Sequence, residues 1–171
     1  TANANTNSRI NNTSKSQSVK KSIQVIDLSS LNHLKQLSVR GHSNLKTLRL
    51  PPCLEGLDAS ACTKLKEITF PSDSNAESEA QSTVFSLEAM NLNGCRSLVR
   101  VQSFPSVVQN VRELDMTSVS QMPKTLLVQV MEHAEALRSI SLRYIATDDV
   151  LVALAASKAA LSLQLVDISF S

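Results

Sequence analysis

One pattern of apolar and polar positions recurs along the chain from residue 23 onward. It has the form apolar-x-x-apolar-x-apolar, where x is mostly polar, as in LKTLRL from residue 45 and VRELDM from residue 111. Two apolar residues that alternate with a polar one indicate a short strand with one buried face. The ten copies begin at residues 23, 34, 45, 54, 65, 87, 98, 111, 137 and 165, so Leu165 takes the first apolar place of the last predicted strand.

Six of these copies define a longer repeat. They begin at residues 34, 54, 87, 111, 137 and 165, and are separated by 20, 33, 24, 26 and 28 residues. The interval of 33 contains residues 71–86, a polar and acidic stretch that we interpret as an inserted loop. A supersecondary unit repeated at intervals of about 20 to 50 residues predicts a solenoid, in which each unit buries its apolar face against its neighbours.

The segments between these six copies differ between the two halves of the chain. Early segments contain a second strand-like run, such as LKEITF from residue 65. Late segments have helical spacing, and one predicted helix opens at Pro123. The other follows Thr147, a candidate helix cap. The predicted buried faces of these helices are Leu127, Val130 and Met131 in the first, and Val150, Leu151, Leu154 and Ala155 in the second.

Three stretches carry a resemblance to a known family. LDASACTKLKEITFP and MNLNGCRSLVRV resemble the repeats of plant intracellular immune receptors. LRSISLRYIATDDVLVALA is similar to the cysteine-containing repeats of F-box ubiquitin-ligase receptors. Residues 23–171 therefore resemble a leucine-rich repeat domain. The resemblance implies an α/β solenoid with a parallel concave β-sheet and a convex side that is extended in the early repeats and helical in the late ones.

The chain divides into two parts at residue 22. Residues 1–22 are rich in Asn, Ser and Thr, and carry Arg9, Lys15, Lys20 and Lys21 without an acid. A segment of this composition buries too little apolar surface to offset its ordering entropy, so we predict a flexible basic tail. Residues 23–171 form the predicted repeat domain. We expect the chain to belong to a longer protein, because the last strand-like run has no polar capping segment after it.

His42, Cys62 and Cys95 occupy the same place in three successive repeats, three residues after the last apolar strand position. One histidine and two cysteines raise the possibility of a metal site. A tetrahedral zinc site, however, needs four ligands that converge on one point, and these residues stand in a row. We therefore favour a structural ladder of inward side chains, in which each Cys donates a weak hydrogen bond to a loop carbonyl. This hypothesis requires no metal.

Composition narrows the classes of function. Aromatic content is 3% and the net charge is +2, so stacking platforms and a dominant basic face for nucleic acid are both missing. No apolar run is long enough to span a membrane. We find no catalytic motif or phosphate-binding loop, and expect no enzymatic activity, cofactor or small-molecule substrate. The odd number of cysteines, three, favours free thiols and an intracellular protein.

The best candidate for function is the row of polar side chains between the apolar strand positions. In stacked repeats these side chains form columns across an extended surface, and none of those columns contains an aromatic anchor. We predict a non-enzymatic module that binds another protein through the concave face, as a recognition or substrate-receptor domain. The alternative is a structural scaffold subunit of a large stable assembly, held by its flanks and ends. The predicted partner-binding residues are Lys35, Arg40, Glu55, Asp58, Glu88, Asn91, Arg112, Asp115, Arg138 and Arg143.

Overall fold

The computed structural model describes residues 22–70 and 85–170. The predicted tail at 1–22, apart from Ser22, and the predicted insertion at 71–86, apart from Phe85 and Ser86, lie outside the described residues. On either side of the undescribed stretch, the buried rings of Phe70 and Phe85 meet edge to face, with their centroids 5.1 Å apart. The chain therefore leaves and re-enters the described fold at one place.

The strands form two parallel sheets. Each strand has three residues except β7, which has two. The strands are β1 (Val25–Asp27), β2 (Gln36–Ser38), β3 (Thr47–Arg49), β4 (Gly56–Asp58), β5 (Glu67–Thr69), β6 (Ala89–Asn91), β7 (Arg100–Val101), β8 (Glu113–Asp115), β9 (Ser139–Ser141) and β10 (Leu165–Asp167). One sheet has the order β1-β3-β5-β7 and the other has the order β2-β4-β6-β8-β9-β10. The predicted α/β fold with parallel strands is confirmed at this level.

Successive strands alternate between the two sheets as far as β7. From there the chain forms helices between the strands of the six-stranded sheet. These are α1 (Phe104–Val107), α2 (Lys124–His133) and α3 (Asp148–Ala156), with short 3-10 turns at Val108–Asn110 and Lys158–Leu161. Helices α2 and α3 follow the two runs that had helical spacing in the sequence, whereas α1 was not predicted.

The core consists of the apolar positions of the repeated pattern. From β3 to β9, nearly all of these side chains are buried, and the core is mostly Leu, Val, Ile and Met. Helix α2 buries the predicted Leu127, Val130 and Met131. Helix α3 buries Val150, Ala153 and Leu154, whereas the predicted Ala155 is exposed. Thr147 lies at the predicted cap of α3, but its hydroxyl group makes no capping hydrogen bond.

The register of β10 differs from the prediction by two residues. Leu165 pairs with Ser139 and Val166 pairs with Ile140, so Leu163, Val166 and Ile168 take the positions that earlier repeats bury. Leu165 itself is 54% exposed. The run LSLQLVDI contains apolar residues in two overlapping frames, and the pattern alone does not distinguish them.

Truncation of a buried leucine should cost far more stability than truncation of Leu165. We expect Leu114→Ala, in the middle of β8, to lower the free energy of unfolding by about 2–5 kcal/mol, because it leaves a cavity in the core. The matched control Leu165→Ala should change it by about 0.5 kcal/mol or less. Urea unfolding followed by circular dichroism measures both. Equal losses would mean that Leu165 occupies a buried position and that the register of β10 is wrong.

Candidate functional site

All ten predicted partner-binding residues lie on the six-stranded sheet or directly beside it. The parallel register arranges the side chains in four rows across the strands. The entry row, one residue before each strand, is Lys35, Glu55, Glu88, Arg112, Arg138 and Gln164. The central row, the first residue of each strand, is Gln36, Gly56, Ala89, Glu113, Ser139 and Leu165. The exit row, the last residue of each strand, is Ser38, Asp58, Asn91, Asp115, Ser141 and Asp167. The turn row, two residues later, is Arg40, Ser60, Asn93, Thr117, Arg143 and Ser169.

Charges of the entry row are largely paired with one another. The Lys35 ammonium group is 2.8 Å from the Glu55 carboxylate, and the Arg112 guanidinium is 3.4 Å from Glu88. The hydrogen bond to Glu55 raises the pKa of Lys35 above its usual value. These pairs are exposed, so each contributes little to stability. Among the described residues, Arg138 forms no ion pair and is the free cation of this row.

The exit row has a structural role that the sequence analysis did not assign. The Oδ1 atom of Asp58 accepts a hydrogen bond from the backbone N–H of Ser60 at 2.9 Å. Asp115 accepts one from Thr117 at 2.9 Å, and Asn91 accepts one from Asn93 at 3.0 Å. Each such turn satisfies a backbone N–H that has no partner in the sheet. The pattern Asp/Asn-x-Ser/Thr/Asn, which ends four of the six strands of this sheet, was the available sequence signal.

The turn row connects neighbouring strands. The Asn93 side chain donates to Asp115 at 3.4 Å, and the hydroxyl groups of Thr117 and Ser141 are 2.8 Å apart. At the next position, the Arg143 Nε atom is 3.9 Å from the Asp167 carboxylate. Of the ten predicted residues, Asp58, Asn91, Asp115 and Arg143 thus have contacts that stabilise the sheet itself.

An aromatic pair follows the turn row at the end of the sheet. The rings of Tyr144 and Phe170 stack with their centroids 5.4 Å apart and their planes 9° apart. The Arg143 guanidinium lies 5.3 Å from the centre of the Phe170 ring and 5.9 Å from that of Tyr144. Both rings are mostly exposed. The predicted columns contain no aromatic side chain, but the turns after β9 and β10 provide these two rings.

The exposed face of the sheet contains a trough of about 520 Å³ along the central and exit rows. It crosses five strands, from β2 to β9. Ala89 and Ser139 contribute small side chains to its floor, and the side-chain amide of Gln36 covers Gly56. A second depression of about 400 Å³ lies between the entry and central rows near Arg112 and Arg138. Glu113 lines both depressions and was not among the predicted residues.

The electrostatics of the trough come from aspartate and glutamate. Burial tends to raise the pKa of Asp58, but hydrogen bonding from Ser60 and the nearby Arg40 charge outweigh it, so this pKa lies below its usual value. Asp58 is therefore ionised at neutral pH. Glu113 and Asp115 line the same trough.

The ladder hypothesis holds for the two cysteines and is wrong for His42. The buried thiols of Cys62 and Cys95 donate to the carbonyl groups of Val39 and Ala59, at 3.0 and 3.1 Å, in the preceding repeat. His42 is exposed, and its Nδ1 atom is 3.0 Å from the carbonyl oxygen of Val39 in its own turn. The reason is position, because β2 is an edge strand of the sheet and no earlier strand of that sheet precedes it among the described residues.

The potential metal ligands of the described residues do not form a cluster. No three His, Cys, Asp or Glu side chains within residues 22–70 and 85–170 converge as metal ligands. The Nδ1 atoms of His42 and His133 lie within hydrogen-bonding distance of backbone carbonyl groups of their own segments. The sheet offers a surface of polar side chains to a partner.

Comparison with known proteins adds no relative. No protein-family model matches the chain, and no curated protein matches it in sequence. Within the described residues, the helices are too short and insufficiently apolar to cross a membrane. The candidate site therefore depends on the geometry of the sheet alone.

Two substitutions of Asp115 should distinguish the effect of its turn hydrogen bond on stability from the effect of its charge. Asp115→Ala removes the acceptor for the Thr117 N–H, and we expect it to lower the free energy of unfolding by about 0.5–1.5 kcal/mol. Asp115→Asn keeps an oxygen in the same place, as Asn91 does in β6, and should cost less than about 0.5 kcal/mol. Urea unfolding compares the two variants. A loss with Asn as large as with Ala would contradict the turn assignment.

The three thiols should differ in reactivity. Burial raises the pKa of the Cys62 thiol and raises that of Cys95 to about 12, so neither forms the reactive thiolate at pH 8. Cys53 is half-buried and nearer to solvent. With Ellman's reagent we expect one rapid thiol in the native protein and three in urea, with the rapid one absent from Cys53→Ser. Rapid reaction of a second thiol in the native protein would show that Cys62 or Cys95 is accessible to solvent.

Proposed function

We propose that the chain is a leucine-rich repeat solenoid that acts as a non-enzymatic protein-interaction module. In this proposal the six-stranded sheet is the concave face and binds a partner protein. The convex side is formed by the four-stranded sheet in the early repeats and by α2 and α3 in the late ones. Unpaired cysteines at positions 53, 62 and 95 support an intracellular location, where thiols stay reduced. The proposal includes no cofactor, nucleic acid or small-molecule substrate.

A repeated turn supports the solenoid. Two residues after the last apolar strand position, every repeat of the six-stranded sheet has a residue in the left-handed region. These residues are Gly41, Ala61, Gly94, Ser118, Tyr144 and Phe170, with φ between 60° and 76°. Six equivalent turns, joined by six equivalent strands in parallel register, fit a stack of one structural unit.

The trough is the observation that carries the interaction function. The central-row and exit-row side chains that line it stand on the exposed face of a sheet whose other face is packed in the core. It crosses β2, β4, β6, β8 and β9, which are paired side by side as a continuous platform. Exposed, partly unpaired polar side chains on a rigid platform are suited to recognition of another macromolecule.

Obstruction of the trough should abolish binding without unfolding the protein. Ala89 lies in the central row, and we expect Ala89→Arg to place a long side chain across the trough while changing the melting temperature little. The matched control is Ala155→Arg on the exposed side of α3. Tagged wild-type protein and both variants are used to capture partners from the native source, followed by mass spectrometry. One protein that is retained by wild type and Ala155→Arg and lost with Ala89→Arg supports the proposal.

The alternative, a scaffold subunit held at its ends, has an observation of its own. On the outer side of β10, Val166 and Ile168 are 44% and 42% exposed at positions that other strands bury. Val166→Asp with Ile168→Asp tests this surface in the same capture experiment. If the double variant loses the partner while Ala89→Arg keeps it, the contact lies at the end of the stack and the scaffold replaces the recognition module.

A further inference from the structure

The trough differs from the rest of the sheet surface in the sign of its charge. Its charged lining residues are Asp58, Glu113 and Asp115, and no Lys or Arg lines it within the described residues. The bases of the surface stand outside it, in the entry row and in the turn row. A partner that enters the trough therefore meets three acids first, although the chain as a whole is weakly basic, with a net charge of +2. Charge complementarity favours a basic occupant.

Two of these acids are held in place by hydrogen bonds of their own turns. The turn hydrogen bonds use the Oδ1 atoms of Asp58 and Asp115. The Oδ2 atom of Asp115 has only a long contact, 3.4 Å, from Asn93. Because their own turns fix these carboxylates, a cation that binds them does not have to order the side chains first.

The spacing of the two aspartates selects a conformation for the occupant. Asp58 on β4 and Asp115 on β8 stand on either side of β6, which places neutral Asn91 between them. Two steps across a sheet of strands span about 9.6 Å. A polyproline II segment returns to the same side every three residues, which is about 9.3 Å. An extended β-strand instead returns every two residues, which is about 6.7 Å.

The floor of the trough accepts a planar amide group. Gly56 has no side chain, and a Cβ atom there would overlap the side-chain amide of Gln36. Gln36 thus lies over β4, in the space that Gly56 leaves free. A backbone amide of a bound polypeptide would need this same space, so binding at β4 requires Gln36 to change its side-chain conformation.

We propose that the trough binds an extended, polyproline II-like segment of the partner protein that carries two Lys or Arg side chains three residues apart. One basic side chain pairs with Asp58 and the other with Asp115, while the segment backbone crosses β6 between them. Glu113 attracts the same charge from the neighbouring row. This inference rests on the proposed function and specifies the chemistry of the partner.

Labelled peptides test this chemistry directly. The probe is fluorescein-labelled Pro-Lys-Pro-Pro-Lys-Pro, and its binding to the full chain is measured by fluorescence anisotropy at low salt. One control peptide, Pro-Lys-Pro-Lys-Pro-Pro, has the same composition with the two bases two residues apart. Another has Glu in place of both Lys. We expect the first peptide to bind about fivefold or more tightly than the second, the acidic peptide not to bind, and added salt to weaken the complex.

A charge-only variant provides the matched control on the protein. The double variant Asp58→Asn, Asp115→Asn keeps both turn acceptors and removes both charges. We expect it to weaken binding of the first peptide by about fivefold or more. Equal affinity of that variant and wild type, or equal binding of the two Lys peptides, would overturn the inference. Tighter peptide binding after deletion of residues 1–21, which carry four bases and no acid, would identify this chain's own segment as the occupant and also overturn it.

The two proposals fail in different ways. If Ala89→Arg abolishes capture of the native partner but the double Asn variant retains it, the trough is a binding site and its occupant is not basic. In that case the proposed function stands and this inference falls. If the Ala89→Arg variant retains the native partner, the trough is not the interface and both proposals fall.

Discussion

The pairing of very short parallel strands with neighbours on both sides is the constraint on which the rest of the structure depends. A strand of three residues has too few hydrogen bonds and too little buried surface to persist alone. Each interior strand of the two sheets instead shares its backbone hydrogen bonds and its apolar side chains with the preceding and following repeat, and each edge strand shares them with one neighbour. The positions of the site residues follow from this, because a shared register carries each polar row straight across the sheet.

The same constraint explains what happens where strands end. At the end of each strand the chain turns away, and the backbone N–H of the turn-row residue has no sheet partner. Side chains of the exit row supply the acceptor, as Asp58, Asn91 and Asp115 show. Two residues past the last apolar position, the backbone enters the left-handed region, which small residues such as Gly41 and Gly94 adopt with little strain. At Tyr144 and Phe170 the same turn carries large rings, whose mutual stacking and contact with Arg143 offset part of that strain.

Periodicity in the sequence was enough to predict the class of fold, the strand positions as far as β9 and most of the buried positions. The prediction from periodicity failed where neighbouring strands, and not the local pattern, determine which residues are buried. At β10, Leu163 and Leu165 both fit an apolar frame, and only pairing with β9 decides between them. At His42 the pattern was the same as at Cys62, but burial there requires a preceding turn that the edge strand β2 lacks. A repeat predicts an average environment, and the ends of a stack depart from it.

Prediction of the candidate site was limited in a different way. The columns of polar residues were visible in the sequence, but their division into paired, structural and free side chains depends on contacts between strands. Lys35 and Glu55 neutralise each other, and Arg143 lies close to Asp167 and two rings. The predicted site left out the central row because Gly56 and Ala89 have no polar or charged side chain. Their importance is the space that they leave, and space becomes visible only when neighbouring strands are in place.

The exit row shows how one position serves folding and leaves charge available for recognition. A turn acceptor requires an oxygen two residues before the N–H, and the amide of Asn91 supplies it at nearly the same distance as the carboxylates of Asp58 and Asp115. Folding alone therefore does not require aspartate at those two strands. It constrains the place and conformation of the side chain, whereas its charge is free to vary. In a stack of repeats, this freedom allows one backbone to present different charge patterns at fixed intervals, without a change in the turns that hold the strands together.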